Sequence, residues 1–274
     1  MTAPLRRVFV RRPGAVGRWR EYGWRSAPDP VRIAEEHEHL CELLTDAGAD
    51  VVVGDPLDSS LDAIYVHDPA TVTDGGAVLL RPGKEVRRGE VDAIERDLRS
   101  AGFEIRGRLE APAAAEGGDM VWLDDDTLVV GRGYRTNDAG VEALRDAFPR
   151  ADVLAVDLPC YHGRSEVMHL LSLISPLDED LAIVYLPLMP VRLVELLESC
   201  EIELVHVPDE EFETMACNVL ALGPRRALAL DGNPETRRRL EAAGVEVVVY
   251  AGDDLSRKGD GGPTCLTRPL VREA

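Results

Sequence analysis

The chain has 274 residues, 45% hydrophobic and 30% charged, and its 50 Asp and Glu against 31 Lys and Arg give a formal charge of −19. This composition predicts a folded, non-membrane protein, and the length allows one large domain or two small ones. The chain has no internal linker or low-complexity tract, so we expect one domain spanning residues 1–274. The strong negative charge argues against nucleic acid or anionic lipid as a partner, because phosphate binding needs clustered cations.

Targeting segments and disulfides are not expected. No run approaches the roughly 18 apolar residues of a membrane helix, and residues 1–10 lack the apolar core of a secretory signal. Five cysteines without a C-x-x-C pair favour neither a disulfide framework nor a zinc site. We therefore expect a cytoplasmic, reduced protein, monomeric or homodimeric, that needs no metal or organic cofactor.

One pattern recurs along the chain: an amphipathic helix, a short break and a compact β-branched strand. The strands are AGADVVV (47–53), AGFEI (101–105), RADVLAV (150–156), CEIELVHV (200–207) and AGVEVVV (243–249). Before the next helix come two apolar strands joined by a polar turn, over residues 64–83, 119–133, 168–187 and 217–232. A fifth hairpin is missing, but LRRVFV (5–10) and TCLTRPLV (264–271) remain, and we expect them to pair.

Five strand–helix–hairpin units whose termini complete the fifth predict a closed ring, since a ring leaves no unit with an uncovered face. The alternative is one open mixed α/β sheet with helices on both faces. Open sheets of that kind alternate strands and helices without hairpins, and the chain has neither a G-x-G-x-x-G motif nor a Walker lysine loop. The closed form is therefore the favoured prediction.

Each predicted hairpin begins with a polar side chain where a core strand would prefer an apolar one. These side chains are Asp68, the run Glu116 to Asp119, His169, Asn218 and Cys265. In a closed ring, equivalent points of successive units converge on the axis, so we expect them to share one small space. Carboxylates, an imidazole, an amide and a thiol together suit nucleophilic catalysis with proton transfer.

Among the cysteines, Cys265 is the candidate nucleophile. The glycines at 261 and 262 would let the backbone approach a ligand. Three basic residues nearby favour a thiolate: Arg257, Lys258 and Arg268. Cys41, Cys200 and Cys217 lie in helical or apolar runs typical of structural cysteines, and the role of Cys160 stays open.

The other candidate side chains each have a structural alternative. His169 lies in the apolar run MHLLSL and could be a hydrogen-bonded core histidine, while His162 is a rival in a polar loop. The run EGGD, which starts at Glu116, could be an ordinary turn because two glycines precede a strand.

Taken together, the motifs resemble the guanidino-group-modifying enzymes, the pentein superfamily of dimethylargininases, arginine deiminases and amidinotransferases. The matching stretches, over residues 62–267, are DAIYVHDPATVT, RPGKEVRRGE, EGGDMVWL, VGRGYRTN, MHLLS, NVLALG and GGPTCLT. RPGKEVRRGE and the chain length resemble the dimethylargininase branch most closely. The fold of this superfamily is a closed five-bladed α/β propeller with pseudo-five-fold repeats, which agrees with the five units above.

The resemblance implies three catalytic residues. Cys265 would be the nucleophile, His169 the general acid and base, and Glu116 the carboxylate that binds the guanidinium and orients the histidine. Asn218 would have a structural role.

The resemblance also implies substrate contacts. Asp68 would bind the guanidinium nitrogens, Arg87 and Arg135 would hold the substrate carboxylate, and Asp62 would line the pocket. His67 stands where dimethylargininases of this type carry Glu, and we expect it to contact the substrate. A second departure is Leu171, where deiminases carry Asp. Residues 14–30, rich in aromatic side chains, are the expected lid.

The implied activity is cysteine-dependent hydrolysis of a free methylated L-arginine to citrulline and an amine, through a covalent thiouronium. The partner would be a small guanidino molecule. One alternative is an arginine deiminase or amidinotransferase acting on another guanidino substrate. A second is a non-catalytic binding protein on the same propeller, as in one translation initiation factor, although a binder has no use for Cys265, His169 and Glu116 together.

Overall fold

The computed structural model describes residues 1–163 and 168–273. The strands of this part of the chain are β1 (Leu5–Arg11), β2 (Asp50–Gly54), β3 (Ala70–Thr73), β4 (Gly76–Leu79), β5 (Ile105–Arg108), β6 (Met120–Trp122), β7 (Thr127–Arg132), β8 (Asp152–Asp157), β9 (Ile174–Asp178), β10 (Leu181–Val184), β11 (Glu203–His206), β12 (Leu220–Gly223), β13 (Arg226–Leu230), β14 (Glu246–Tyr250) and β15 (Arg268–Arg272). The helices are α1 (Pro30–Asp46), α2 (Glu90–Ser100), α3 (Asp138–Ala147), α4 (Val191–Ser199), α5 (Asp209–Phe212) and α6 (Pro234–Ala242).

These strands form five three-stranded sheets of one design within the described residues. In the second sheet β3 pairs antiparallel with β4, and β4 pairs in parallel with β5 across the crossover helix α2. The sheets β6–β7–β8, β9–β10–β11 and β12–β13–β14 repeat this order. In the first sheet β15 supplies the antiparallel strand, with Leu5 opposite Arg272 and Phe9 opposite Arg268. The predicted pairing of the two termini is confirmed.

The helices begin and end at residues that the sequence marks. Asp29 accepts hydrogen bonds from the backbone N–H groups of the first turn of α1, and Pro30 occupies its first position. After α1 and α2 the chain turns at Gly48 and Gly102, whose φ angles of +99° and +93° lie in the left-handed region that favours glycine. The Ala-Gly pairs between helix and strand therefore mark the turns because glycine readily adopts the left-handed backbone conformation found there.

The apolar core closes the ring of sheets. The central strand of each sheet sends successive side chains to opposite neighbours, as the two-residue period of a strand requires. These successive pairs are Val8 and Phe9, Val78 and Leu79, Leu128 and Val129, Ala182 and Ile183, and Ala227 and Leu228. Each of the five apolar clusters thus joins two adjacent sheets, and one joins the fifth sheet to the first. The predicted closed five-bladed α/β propeller is confirmed.

Some predicted boundaries are wrong, and the error falls at the start of the hairpins. Short 3-10 turns over Leu61–Ile64, Gly117–Asp119 and Leu170–Ser172 precede the strands β3, β6 and β9. Residues 263–266 likewise form a turn, and β15 begins at Arg268. The polar residues therefore lie before the strands rather than at their first positions, on backbone free to turn toward the axis.

No helix in the described ranges is long and apolar enough to cross a membrane.

Candidate active site

An imidazole and two carboxylates lie together between the second, third and fourth sheets. His169 Nε2 is 2.6 Å from Glu116 Oε2. Asp68 Oδ1 accepts a hydrogen bond of 3.1 Å from the backbone N–H of Gly118. Side-chain donor atoms of Asp68, Glu116 and His169 all lie within 4.8 Å of one another. The predicted convergence of these three residues holds in the structure.

The thiol joins this group from the turn before β15. Asn218 Nδ2 donates a hydrogen bond of 3.1 Å to Cys265 Sγ, and the carbonyl of Cys265 accepts one of 3.2 Å from the N–H of His67. Because His67 directly precedes Asp68, this bond holds the Cys265 turn beside the carboxylate cluster. The polar residues of all five units therefore meet at one place.

Two glycines of the EGGD run are required by this crowding. A Cβ on Gly118 would lie 2.6 Å from His169 Nδ1 and 3.0 Å from Asp68 Oδ1, and one on Gly117 would lie 2.1 Å from the His67 carbonyl oxygen. Any other residue would push these segments apart. EGGD is therefore more than an ordinary turn, because its glycines let the carboxylate and imidazole segments touch.

His169 is the histidine of the site, and it is cationic at neutral pH. Burial alone lowers its pKa, but the carboxylates of Asp68, Asp119 and Glu116 outweigh burial and raise it to about 9. The same contacts act in reverse on Glu116: burial raises its pKa, and the bond to His169 more than offsets this and lowers it. The rival His162 lies on the surface, with Nε2 3.8 Å from Glu213 Oε1.

The expected thiolate is wrong for the free protein. Burial raises the pKa of Cys265 to about 12 and Asp68 adds to the rise, whereas the bond from Asn218 only partly opposes it. The nearby cations are engaged elsewhere: Arg257 binds Asp231 and Asp253, Lys258 binds Asp254, and Arg268 binds the carbonyl oxygen of His67. Cys265 is therefore a neutral thiol at pH 7.

The expected purpose of the glycines before Cys265 also needs correction. A Cβ on Gly261 would lie 2.2 Å from the ring of Tyr65, and one on Gly262 would lie 2.6 Å from Asn218 Oδ1. These glycines make room for side chains of the protein itself. The second of them lets Asn218 reach the turn, where its Oδ1 accepts from the N–H of Thr264.

Arg87 does not fit its expected contact with a substrate carboxylate. Its side chain is only 4% exposed and is enclosed by acceptors: Nη1 donates to Asp68 Oδ2 at 2.5 Å and Nη2 to Glu90 Oε2 at 2.8 Å. Nη2 also donates to the backbone carbonyls of Asp62 and Tyr65. The guanidinium neutralises buried carboxylates and fixes Asp68, which helps to hold the pKa of Asp68 well below its usual range against the effect of burial.

Arg135, by contrast, keeps donors available. Its Nη1 lies 3.2 Å from Glu116 Oε1, and its side chain is 11% exposed. Lys84, which the sequence analysis did not select, lies beside it. The Lys84 backbone N–H is 3.3 Å from the same Glu116 oxygen, and a Cβ on Gly83 would lie 2.7 Å from the carbonyl of Arg135. The Arg135 guanidinium and the Lys84 backbone therefore border the carboxylate cluster on this side, while Lys84 Nζ binds Asp62 and the Tyr22 carbonyl.

Asp62 fastens the segment expected to be a lid. Its Oδ1 accepts from Trp24 Nε1 at 2.8 Å and its Oδ2 from Lys84 Nζ at 2.7 Å, while Lys84 Nζ also donates to the Tyr22 carbonyl. Trp24 stacks on Tyr65 with ring centroids 6.0 Å apart. Residues 14–30 are thus tied to the rim through Asp62, whose two oxygens are both used.

Asp119 and Thr136 are functional supports that the sequence analysis did not assign. Asp119 is fully buried and accepts from Thr136 Oγ1 at 2.6 Å and from the N–H of Leu170 at 3.1 Å, which anchors the His169 turn. Burial raises its pKa to about 6. The sequence signal that could have identified Asp119 is its place as the second acidic residue of EGGD, directly before an apolar strand.

The carboxylate and imidazole donors could also hold a metal ion. Two carboxylates and one imidazole suit a borderline divalent metal. Metal binding through Nε2 of His169 would displace the proton that this atom shares with Glu116.

A closed α/β propeller that gathers a cysteine, an imidazolium and carboxylates on its axis defines the class of enzymes that modify guanidino groups. The family model described as N,N dimethylarginine dimethylhydrolase, eukaryotic, matches residues 30–272. The N(G),N(G)-dimethylarginine dimethylaminohydrolase of Streptomyces coelicolor is 32% identical over 268 residues, 96% of both chains. The chain therefore belongs to the dimethylarginine dimethylhydrolase family and is a hydrolase of guanidino C–N bonds.

Two further relatives widen this comparison. An arginine deiminase of Listeria welshimeri is 30% identical over 261 residues, which cover 79% of this chain and 63% of the deiminase. A dimethylarginine dimethylaminohydrolase variant from Pseudomonas aeruginosa, solved in complex with citrulline, superimposes with a TM-score of 0.81 over 97% of this chain and 100% of its own. At 24% identity this last likeness bears on the fold alone.

Proposed function

We propose that the protein hydrolyses a free methylated L-arginine to citrulline and an amine, with Cys265 as nucleophile and His169 as general acid and base. The observation that carries this proposal is the meeting of a partly buried thiol, an imidazolium bonded to Glu116 and a fixed Asp68 carboxylate. A thiol, a proton donor and anions for a guanidinium are the groups that this chemistry needs.

The charges of the free site suit a cationic substrate. Cys265 is neutral because burial and Asp68 raise its pKa to about 12. A guanidinium bound against Asp68 brings a positive charge next to Sγ, and an adjacent cation favours the thiolate. The thiol proton then leaves to solvent, so the nucleophile forms only when the substrate is bound.

The first half of the reaction breaks the guanidino C–N bond. The Cys265 thiolate adds to the guanidinium carbon, which Asp68 and Glu116 hold and keep cationic. His169 gives its proton to the departing nitrogen, because a neutral amine leaves far more readily than an amide anion. The products of this half are the free amine and a thiouronium on Cys265.

The second half adds water. His169, now neutral, removes a proton from a water molecule as its oxygen bonds to the thiouronium carbon. Collapse of the tetrahedral adduct expels the thiolate, which takes the hydroxyl proton and returns to the neutral thiol, and leaves a ureido group, as in citrulline. Glu116 orients the imidazole through its bond to Nε2, and Asp119 anchors the turn that carries it through the N–H of Leu170.

The opposite end of the substrate is assigned to the cations beside Glu116. Arg135 keeps N–H groups available, and Lys84 lies next to it, with its ammonium bonded to Asp62 and the Tyr22 carbonyl. Arg87 is enclosed by its own carboxylates, so we assign the substrate carboxylate to Arg135 with Lys84 next to it. A carboxylate at one end and a guanidinium at the other describe a free amino acid better than agmatine.

A colorimetric ureido assay tests this function across arginine, monomethylarginine, dimethylarginine, agmatine and guanidino acids, with Cys265→Ala as the blank. We expect methylated arginine to react fastest and to release methylated amine in equal amount to citrulline. Faster turnover of agmatine than of any α-amino acid would contradict the distal assignment, and no turnover of any compound would contradict the hydrolase. Ammonia release from arginine at the higher rate would favour the deiminase alternative, which the relative from Listeria supports.

A further inference from the structure

His67 makes three hydrogen bonds to the turn that carries the nucleophile. Its backbone N–H donates to the carbonyl of Cys265 at 3.2 Å. Its ring Nδ1 is 2.9 Å from the carbonyl oxygen of Thr267, and its own carbonyl accepts from Arg268 Nη2 at 2.5 Å. One buried residue therefore forms hydrogen bonds with Cys265, Thr267 and Arg268.

The ring of His67 has a fixed protonation pattern. A carbonyl oxygen can only accept, so the contact with Thr267 requires a proton on Nδ1. Burial, with the nearby Arg268, lowers the pKa of His67 to about 3. The ring is therefore neutral throughout the physiological range, with Nδ1 as donor and Nε2 as acceptor, and its bond to Thr267 does not vary with pH.

The same residue connects this turn to the acid–base half of the site. Asp68 follows it directly and accepts from the N–H of Gly118, while the His67 carbonyl lies against Gly117, where a Cβ would approach to 2.1 Å. A shift of His67 would therefore move Cys265 relative to His169 and the carboxylates. Reactions that need two groups aligned lose about 100-fold for a displacement near 1 Å.

We propose that His67 is a positioning residue that holds the Cys265 turn in register with the carboxylate cluster, through the bond from Nδ1 to Thr267. This role replaces the substrate contact expected from the sequence. The inference rests on the proposed function only in its kinetic consequences, because the bonds themselves join parts of the protein.

Two amide substitutions distinguish the contributions of the two ring nitrogens. In His67→Asn the amide nitrogen lies near the former Nδ1 and can donate to Thr267, whereas in His67→Gln the amide lies near the former Nε2. His67→Leu removes both groups at similar volume, and all three variants keep the backbone bonds to Cys265 and Arg268. We expect kcat to fall about 100-fold in the Leu and Gln variants with KM within about threefold, and Asn to recover kcat to within about fivefold.

The opposite pattern would overturn the proposal. Rescue by Gln rather than Asn, or a change in KM that differs between arginine and dimethylarginine, would return His67 to a substrate contact. Unaltered kcat in the Leu variant would exclude a positioning role.

A second readout does not depend on the substrate. The rate at which iodoacetamide alkylates Cys265, followed by peptide mapping, should change in His67→Leu and return toward wild type in His67→Asn. This holds even where the wild type turns over no guanidino compound, so failure of the proposed function and failure of this inference are distinguishable. Equal alkylation rates in all variants would overturn the inference.

Discussion

Burial disfavours the charged form of both groups of the proposed catalytic centre, but its effect on the pKa is outweighed at His169 and prevails at Cys265. His169 and Cys265 both lose water, but His169 is surrounded by three carboxylates that outweigh desolvation and raise its pKa to about 9. Cys265 has an amide and a carboxylate beside it, and its pKa rises to about 12. Both groups are protonated at neutral pH, so the proposed acid is ready while the proposed nucleophile is not. The positive charge that would complete the site is the one that a guanidinium carries.

Removing the proposed nucleophile should have the largest effect on activity. Cys265→Ala should lower kcat/KM by at least about 1000-fold, because no thiolate remains to attack the guanidinium carbon and His169 can only supply a proton. Circular dichroism and denaturant unfolding should remain close to wild type. The exposed Cys200 supplies the control, since Cys200→Ser should keep full activity.

A labelling experiment compares the thiols directly. A cationic haloacetamidine should alkylate Cys265 faster than a neutral haloacetamide of equal reactivity, because its charge favours the thiolate. First modification at Cys160 or Cys217 would mean that the nucleophile is assigned wrongly.

Loss of a carboxylate beside His169 should have the next largest effect. Activity should fall about 100-fold or more, and its pH dependence should shift. Glu116→Gln removes a charge that raises the pKa of His169, so that pKa falls toward its ordinary value. The imidazolium is present below this pKa and is lost above it. The alkaline decline of kcat/KM, expected near pH 9 in the wild type, should therefore begin at lower pH in the variant.

The matched variant Asp119→Asn alters a second carboxylate near His169 that does not bond to its ring. A shift of the alkaline limb in the same direction but with a smaller loss of kcat is expected. An unchanged limb in both variants would show that His169 is not the group that titrates.

Arg87 should matter to stability more than to substrate affinity. Arg87→Met leaves Asp68 and Glu90 buried without their cation, and breaking a buried ion pair costs about 3–5 kcal/mol of unfolding free energy. Urea unfolding at pH 7 measures this loss. A raised KM at unchanged stability would restore the substrate contact that the sequence analysis expected for Arg87.

The smallest effects should come from the cations on the far side of the cluster. Arg135→Met should raise KM for arginine derivatives about 10-fold and Lys84→Met by less, because Arg135 keeps N–H groups for the substrate carboxylate whereas Lys84 Nζ already binds Asp62 and the Tyr22 carbonyl. Agmatine, which lacks that carboxylate, should react with an unchanged KM. A proportional rise for agmatine would mean that these cations act only through Glu116 or Asp62.

The repeating architecture could be derived from the sequence because its signals are local. Helix faces, Ala-Gly breaks and apolar hairpins are each written within a few residues, and the five units carry them in the same order. The leftover strands at the two ends then predicted closure, and the pairing of β1 with β15 followed. The convergence of Asp68, Glu116, His169 and Cys265 came from the same repetition, because equivalent positions of a ring meet at its axis.

The charge state and the partners of these side chains were decided only in the folded molecule. Burial and long-range pairing set them: three carboxylates from distant segments make His169 a cation, while Arg257 and Lys258 bind other acids and leave Cys265 a neutral thiol. Arg87 turned out to be enclosed and His67 bonded to Thr267 for the same reason. A sequence motif gives the residue type at the site, but the free energy of a charge or a hydrogen bond depends on neighbours that lie as far as 200 positions or more away along the chain.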